Sequence, residues 1–343
     1  MSTVQVVVER AEAVPVRIPA TFGPYEAVIV VLHGDGVTGV GEAPATAGRG
    51  YPLQRLTQAL AEALEDPRSV RPELLPPPAR AAVEMARLDL DARAAGVPVA
   101  QLIGGVRREG VTCSYLVPAV RPAPVATEVE AAVADGFRVF KLKAANKGGV
   151  IDLERLGAAH WAAGPGAELR LDMNGKLTPG EADVVSAGMV AARVALLEQP
   201  LPPAASLADW LHLMAAAKTV IAADESLADP SLASQLAQAG VALAIKLAGV
   251  GGLRPALALA RVASGPLCVG SSYETSIGLA AAVHVACALE KEPLACGLAT
   301  LRLLDGDLAS GLDLRGPCAR VGAGPGLGVE LDRAALARYR VDK

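Results

Sequence analysis

The sequence predicts an α/β fold, a modified (β/α)8 TIM-type barrel with an α+β capping domain formed by the N-terminal segment and the C-terminal tail. Three observations predict it. From Val111 onward short apolar runs alternate with Ala-rich amphipathic stretches, the pattern of parallel βα units. The charged ends of those runs, Lys143, Asp172, Glu198, Asp224 and Lys246, are 29, 26, 26 and 22 residues apart. That is close to the roughly 31 per unit expected when about 250 residues form eight units. Before residue 110, by contrast, the apolar runs are joined by hairpin signals.

A chain of 343 residues fits two domains, or one barrel plus an appendage. Apolar residues make up 52% and aromatics only 3%, so the interior must be packed mainly by Ala, Val and Leu. A net charge of -4 provides no broad basic field for nucleic acid or an anionic membrane, which leaves small-molecule work as the expected role. The five cysteines are scattered, odd in number and without a Cys-x-x-Cys pair, as in a reduced cytoplasmic protein. Met1 to Gln5 shows no basic segment leading into a long apolar stretch, so no signal peptide is expected. No uncharged run is long enough to span a bilayer.

Along the chain, Val4 to Val16 and Ala27 to Leu32 read as strands. The turn His33-Gly34-Asp35-Gly36 leads into a third, Thr38 to Ala43. The loops Thr21–Tyr25 and Thr46–Tyr51 are Gly- and Pro-rich yet carry aromatics and an arginine, a composition suited to covering a binding site. Phe22, Tyr25 and Tyr51 are therefore candidate substrate contacts. Helical spacing follows from Leu53 to about Leu64, and again from Ala79 to Ala95, where Gly96 and Pro98 stop it. Residues 1–110 read as the capping unit, 111–319 as the barrel, and 320–343 as a short strand and helix packing back on the cap. Within the barrel, Thr178-Pro179-Gly180-Glu181 and Asp229-Pro230 are helix starts placed just after charged strand ends.

Those strand ends carry the chemistry. Parallel strands of a barrel emerge on one face, where active sites are assembled, and five successive runs here end in Lys, acid, acid, acid, Lys. Each charge stands where a structural role would call for Val or Ile. Three converging carboxylates need a cation, and an all-oxygen set without histidine favours Mg²⁺, with Mn²⁺ as the alternative. In Phe140-Lys141-Leu142-Lys143 strand alternation puts Lys141 and Lys143 on one face. The like charge beside it helps to make Lys143 a general base. Lys143 and Lys246, on strands flanking the acids, would then exchange a proton α to a substrate carboxylate while the metal stabilises the developing enediolate. At Asp224-Glu225 alternation lets only one acid face the axis; the interval, together with the family resemblance below, points to Asp224, and Glu225 would then face outward or support the site.

With these residues in order, the chain resembles the enolase superfamily, in the branch of muconate lactonizing enzymes and o-succinylbenzoate synthases. The resemblance covers most of the chain. It includes Ala86-Arg87-Leu88-Asp89-Leu90-Asp91, Val97-Pro98, Leu102-Ile103-Gly104-Gly105, the Lys-x-Lys stretch, the three acids, Lys246, and Gly270-Ser271-Ser272-Tyr273-Glu274-Thr275-Ser276-Ile277-Gly278. It implies Lys143 and Lys246 as the acid/base pair, Asp172, Glu198 and Asp224 as Mg²⁺ ligands, and Lys141 and Asn174 as helpers. It further implies that the two cap loops close over the substrate and that Ser271, Ser272 and Glu274, at the end of the seventh strand, contact it.

Members with this lysine pair carry out syn dehydration, cycloisomerisation, or racemisation and epimerisation of N-acyl amino acids and dipeptides. Typical dipeptide epimerases place Asp-x-Asp near the last strand, where this chain has Ala295-Cys296-Gly297-Leu298-Ala299-Thr300. The part Cys296-Gly297-Leu298-Ala299-Thr300, followed by Leu303-Leu304, bears a weak resemblance to o-succinylbenzoate synthases, so a dehydration of that type is the first expectation. The alternatives are a racemase or epimerase, a muconate-type cycloisomerase, and a catalytically inactive barrel serving as a binding scaffold. The last would bear five inward charges for no purpose. The expected partner is a small carboxylate, with no nucleic acid or membrane; a homo-oligomer is left open.

Overall fold

The computed structural model describes residues 5–118, 121–143, 152–189 and 192–341. Strands β1 (Arg10–Ile18), β2 (Tyr25–Gly34) and β3 (Val37–Pro44) form an antiparallel sheet. Asp35 and Gly36 join the last two at φ +48 and +74, as an Asp-Gly hairpin requires. The first strand begins later than expected, at Arg10; Val4 lies outside the described residues. Val6 and Val8 are buried without joining the ladder, packed with Leu56 and Leu60 of α1 (Leu53–Ala63) and Val83 and Leu90 of α2 (Pro77–Ala94). The Val6 amide donates instead to Asp91 Oδ1 at 3.0 Å.

Helix α2 lies against β3 so closely that a Cβ on Gly41 would sit 2.0 Å from the Ala82 carbonyl oxygen, and one on Gly39 2.2 Å from that of Ala86. Glycine is used here for a close approach, and the sheet and helix form one unit. After α3 (Val99–Ile103) and β4 (Gly110–Thr112) the barrel begins.

Its strands are β5 (Tyr115–Val117), β6 (Val139–Lys143), β7 (Glu168–Asp172), β8 (Val194–Glu198), β9 (Val220–Ala223), β10 (Ala242–Lys246) and β11 (Leu267–Gly270). They form one seven-stranded parallel sheet in that spatial order. The helices between them are α4 (Pro122–Ala134), α5 (Leu153–Ala163), α6 (Pro179–Met189), α7 (Leu207–Ala216), α8 (Pro230–Ala239), then α9 (Leu247–Val250) and α10 (Leu253–Val262) in succession, and α11 (Ser276–Ala288) follows β11. Both sequence-derived helix starts are seen. Glu181 accepts from the Thr178 amide and hydroxyl, and Asp229 accepts from the amides of Ser231 and Leu232.

Residues 294–298 take the eighth place without forming a regular strand. They bridge the open edges through the parallel pairs Cys113–Cys296 and Gly270–Gly297, supported by Cys296 N on Thr112 O at 2.7 Å and Gly297 N on Val269 O at 2.9 Å. The tail contributes β12 (Ala309–Ser310), β13 (Asp313–Arg315), β14 (Cys318–Arg320), β15 (Glu330–Leu331) and α12 (Arg333–Tyr339). It returns to β1, where Arg340 bridges Val16 and the Val341 amide donates to Pro15 O. No helix among the described residues is long and apolar enough to cross a membrane.

Cap and barrel meet at Glu42 of β3, which is buried at the N-terminus of α11. Its carboxylate accepts from Tyr25 Oη (2.7 Å), Thr275 N (3.1 Å), Thr275 Oγ1 (2.8 Å) and Gly278 N (2.8 Å). Burial, with Glu274 nearby, outweighs these donors and raises the Glu42 pKa from 4.5 to about 7. A carboxyl raised on folding contributes stability that is complete below its unfolded pKa and lost as pH rises through the folded one. Between pH 4.5 and 7 the loss from this group amounts to about 3 kcal/mol. Urea unfolding at stepped pH should therefore show Glu42→Gln losing less stability over that interval than the natural chain; equal slopes would remove Glu42 as the titrating group.

Candidate active site

Strand β6 sets the geometry. Phe140 and Leu142 are fully buried on the helix side, while Lys141 and Lys143 are half-buried on the other, as the two-residue period dictates. In register, Lys143 pairs with Asp172 and Asp172 with Glu198. Asp224 follows directly on β9, and Lys246 ends β10. Oxygen atoms of Asp172, Glu198 and Asp224 all lie within 4.8 Å of one another, and all three residues are buried.

Among the described residues, four cations surround the acids. Lys141 Nζ donates to both oxygens of Glu198 at 2.6 Å and lies 3.1 Å from Asp172 Oδ2. Lys143 Nζ donates to Asp172 Oδ2 at 2.7 Å and Asn174 Oδ1 at 3.0 Å. Lys246 Nζ donates to Asp224 Oδ2 at 2.5 Å. The fourth is Arg49 of the cap loop, whose Nη2 lies 2.8 Å from Glu225 Oε1 and 3.5 Å from Asp224 Oδ2.

Burial alone would raise Asp172, yet Lys141, Lys143 and Lys246 hold it well below the usual carboxylate range. Asp224 is likewise lowered against burial, by Lys246 and Arg49. Glu198 goes the other way, because burial with Asp172 and Asp224 beside it outweighs Lys141. Burial would lower Lys141 and Lys246, but the acids overcome it and raise both. The cluster is a mutually compensated charge network.

The cluster opens into a pocket lined by the three lysines, Glu198 and Arg170, and on its other wall by Ser114, Ala244, Gly270, Ser271, Ser272, Tyr273, Gly297 and Thr300. Of the residues expected to contact substrate, Ser271 and Ser272 line it. Glu274 is buried behind them, accepting from the Ser272 amide at 2.5 Å. Phe22 is 48% exposed and sets its ring 4.3 Å from that of Tyr273.

Tyr25 and Tyr51, the other two cap residues expected to contact substrate, are placed at the cap–barrel junction and at the loop closure. Tyr25 opens β2, is buried and donates to Glu42, because its place in the strand turns it into the cap–barrel junction. Tyr51 closes its loop by pairing with Thr46 and packs with the cap cluster, so the described pocket wall includes Thr46 and Arg49 but not Tyr51.

Sequence reasoning missed Arg49, Arg170 and Gln199 as site residues. Gln199 is buried at φ +40; its Oε1 accepts from the amides of Asp224 and Ser226, and its Nε2 donates to Leu201 O and Ser226 Oγ. It thereby fixes where Asp224 points. A polar residue between Glu198 and Pro200 was its available sign. Arg170 lies one inward position below Asp172 on β7, tied to Glu168 Oε1 and Ala295 O, and alternation from Asp172 would have placed it.

Residues 124–335 match the family model described as enolase C-terminal domain-like. Residues 1–104 match the mandelate racemase / muconate lactonizing enzyme N-terminal domain. The chain belongs to the enolase superfamily of enzymes. An o-succinylbenzoate synthase from Thermobifida fusca is 36% identical over 59% of this superfamily member, and the aligned part spans 63% of that relative's length. An L-Ala-D/L-Glu epimerase from Bacillus subtilis is 31% identical over 73% of the chain and 70% of its own. A muconate lactonizing enzyme structure from Pseudomonas putida superposes with a TM-score of 0.88 at 26% identity, covering 98% of this chain and all of that one. Sequence and structure thus agree on the superfamily, while the relatives' names span different reactions.

Proposed function

We propose that this enzyme removes a proton α to a carboxylate in a Mg²⁺-dependent reaction, and that the reaction is a dehydration of the o-succinylbenzoate synthase type. The observation that carries the reading is the pair Lys143 and Lys246, ion-paired to the first and last of three clustered acids at the mouth of one pocket. The donor set fits a hard divalent cation, since Asp172, Glu198 and Asp224 offer three converging carboxylate oxygens. Mn²⁺ would satisfy the same ligands. When bound, the cation supplies positive charge to a substrate carboxylate and so acidifies the adjacent C–H.

The chain's own groups do the rest. Lys143, as the free amine, takes the α-proton; Asn174 Oδ1 and Asp172 orient its nitrogen. In a syn dehydration the same lysine returns that proton to the departing β-hydroxyl, which leaves as water as the carbon–carbon double bond forms. Lys246 holds charge on the opposite flank. Among the described lining residues Glu198 is the one acid, whereas Arg49 and Arg170 add positive charge. That balance favours a second anionic or a neutral polar substituent over an ammonium, and it supports dehydration over dipeptide epimerisation.

A cyclohexadiene carboxylic acid with a β-hydroxyl tests the reading: loss of diene absorbance that disappears in EDTA is expected, and no change would reject the dehydration. Lys246→Ala separates the reactions. In a dehydration it should leave α-proton exchange in D₂O measurable. In a two-base racemase of an N-acyl amino acid it should abolish exchange from one enantiomer, the second reading, favoured by the lysine on each flank of the acids.

A further inference from the structure

A chain of polar contacts runs from the cap to Lys143. Arg49 ends the short turn Ala47–Arg49 in the loop that Thr46 and Tyr51 close. Its Nη2 donates to Glu225 Oε1 at 2.8 Å. The same oxygen accepts from Asn174 Nδ2 at 3.1 Å, and Asn174 Oδ1 accepts from Lys143 Nζ at 3.0 Å. Asn174 is held at its backbone too, with φ +48 and its amide on Asp172 Oδ1 at 3.0 Å.

The chemistry of a carboxamide gives this chain its meaning. Asn174 can turn either an acceptor oxygen or a donor NH₂ toward Lys143, and only the oxygen suits an ammonium or amine donor. What fixes the choice is a carboxylate on the other side to take the NH₂, and that is Glu225. Glu225 in turn is 12% exposed, and its Oε2 is buried with no hydrogen-bond partner among the described residues, so Oε1 and the Arg49 cation hold it in place. Arg49 is 35% exposed, which makes its contact the breakable link.

We propose that Arg49 is a positioning residue that couples the seating of the 46–51 cap loop to the aim of Lys143, acting through Glu225 and Asn174. The inference rests on Lys143 being the base. With the loop seated, Glu225 is fixed, Asn174 presents its oxygen and Lys143 is aimed. With the loop withdrawn, Glu225 loses its cation, the carboxamide loses its orientation and the base is no longer held. Proton removal is thus confined to the covered site.

The test uses the full chain loaded with Mg²⁺. Amide hydrogen exchange over residues 46–51 should speed up in both Arg49→Met and Glu225→Gln, and Arg49→Lys should restore part of the protection; unchanged exchange in Glu225→Gln would overturn the link. With whichever acid shows Lys143-dependent α-proton exchange, Arg49→Met should lower kcat between about ten- and a hundredfold with little change in KM. The double variant should be no slower than Glu225→Gln alone. A rise in KM alone, or additive losses in kcat, would show that Arg49 contacts substrate or acts independently, and would sink the proposal. If Lys143→Ala retains all exchange, the reading of the base fails instead, and the loop measurement still reports whether Arg49 and Glu225 are coupled.

Discussion

Lys143→Ala is expected to lower α-proton exchange and turnover by about 10²- to 10⁴-fold, the range over which a positioned general base contributes. The substitution removes the amine and leaves its surroundings in place: Asp172 keeps Lys141 at 3.1 Å, and Asn174 keeps Glu225. Stability should change little, since the Lys143 side chain is 38% exposed and its ion pair is correspondingly screened. Single-turnover exchange in D₂O measures the effect directly. Exchange at the natural rate would transfer the role of base to Lys246 or to a group outside the lysine pair.

Asp172→Ala should have the second large effect, and on two observables at once. The carboxylate receives Lys143, Lys141 and the Asn174 amide, and it is 1% exposed. Deleting it leaves the Lys141 ammonium with Glu198 alone and one backbone donor unpaired. Breaking a buried pair from one side typically costs about 3–5 kcal/mol, readable as a lowered urea midpoint. Calorimetry should show Mg²⁺ heat disappearing together with activity. Asp172→Asn keeps the shape and one acceptor oxygen, so its unfolding should fall between the two while its metal affinity stays low. Undiminished Mg²⁺ affinity in either variant would take Asp172 out of the ligand set.

Much of this was legible in the chain because charge at a strand end breaks a strong rule. Lys143, Asp172, Glu198, Asp224 and Lys246 stand where apolar residues would pack, and the period between them reports the barrel unit. Alternation alone separated Lys141 and Lys143 from Phe140 and Leu142. What stayed hidden depends on long-range placement. Nothing local in Tyr25 distinguishes a residue over a pocket from one buried against Glu42, seventeen positions on. Arg49 reads as a loop arginine until the fold brings it to Glu225, 176 residues away. The eighth position in the barrel carries no strand pattern, since Ala295-Cys296-Gly297 has neither β-branched residues nor alternation.

That eighth position divides the barrel mechanically. On the side of β6, β7 and β8, parallel ladders with a single register shift at Leu169 and Arg170 hold Lys141, Lys143, Asp172 and Glu198, while Asp224 and Lys246 lie further round, with Lys246 in register with Gly270. On the other, the ring is shut by isolated bridges at Cys296 and Gly297, beside Gly270, Ser271 and Thr300 of the pocket wall. A stretch with few ladder bonds yields more readily than a continuous sheet. The proposed base Lys143 is thus carried by the laddered side, while Lys246 and the pocket wall at Gly270 and Ser271 stand next to the seam.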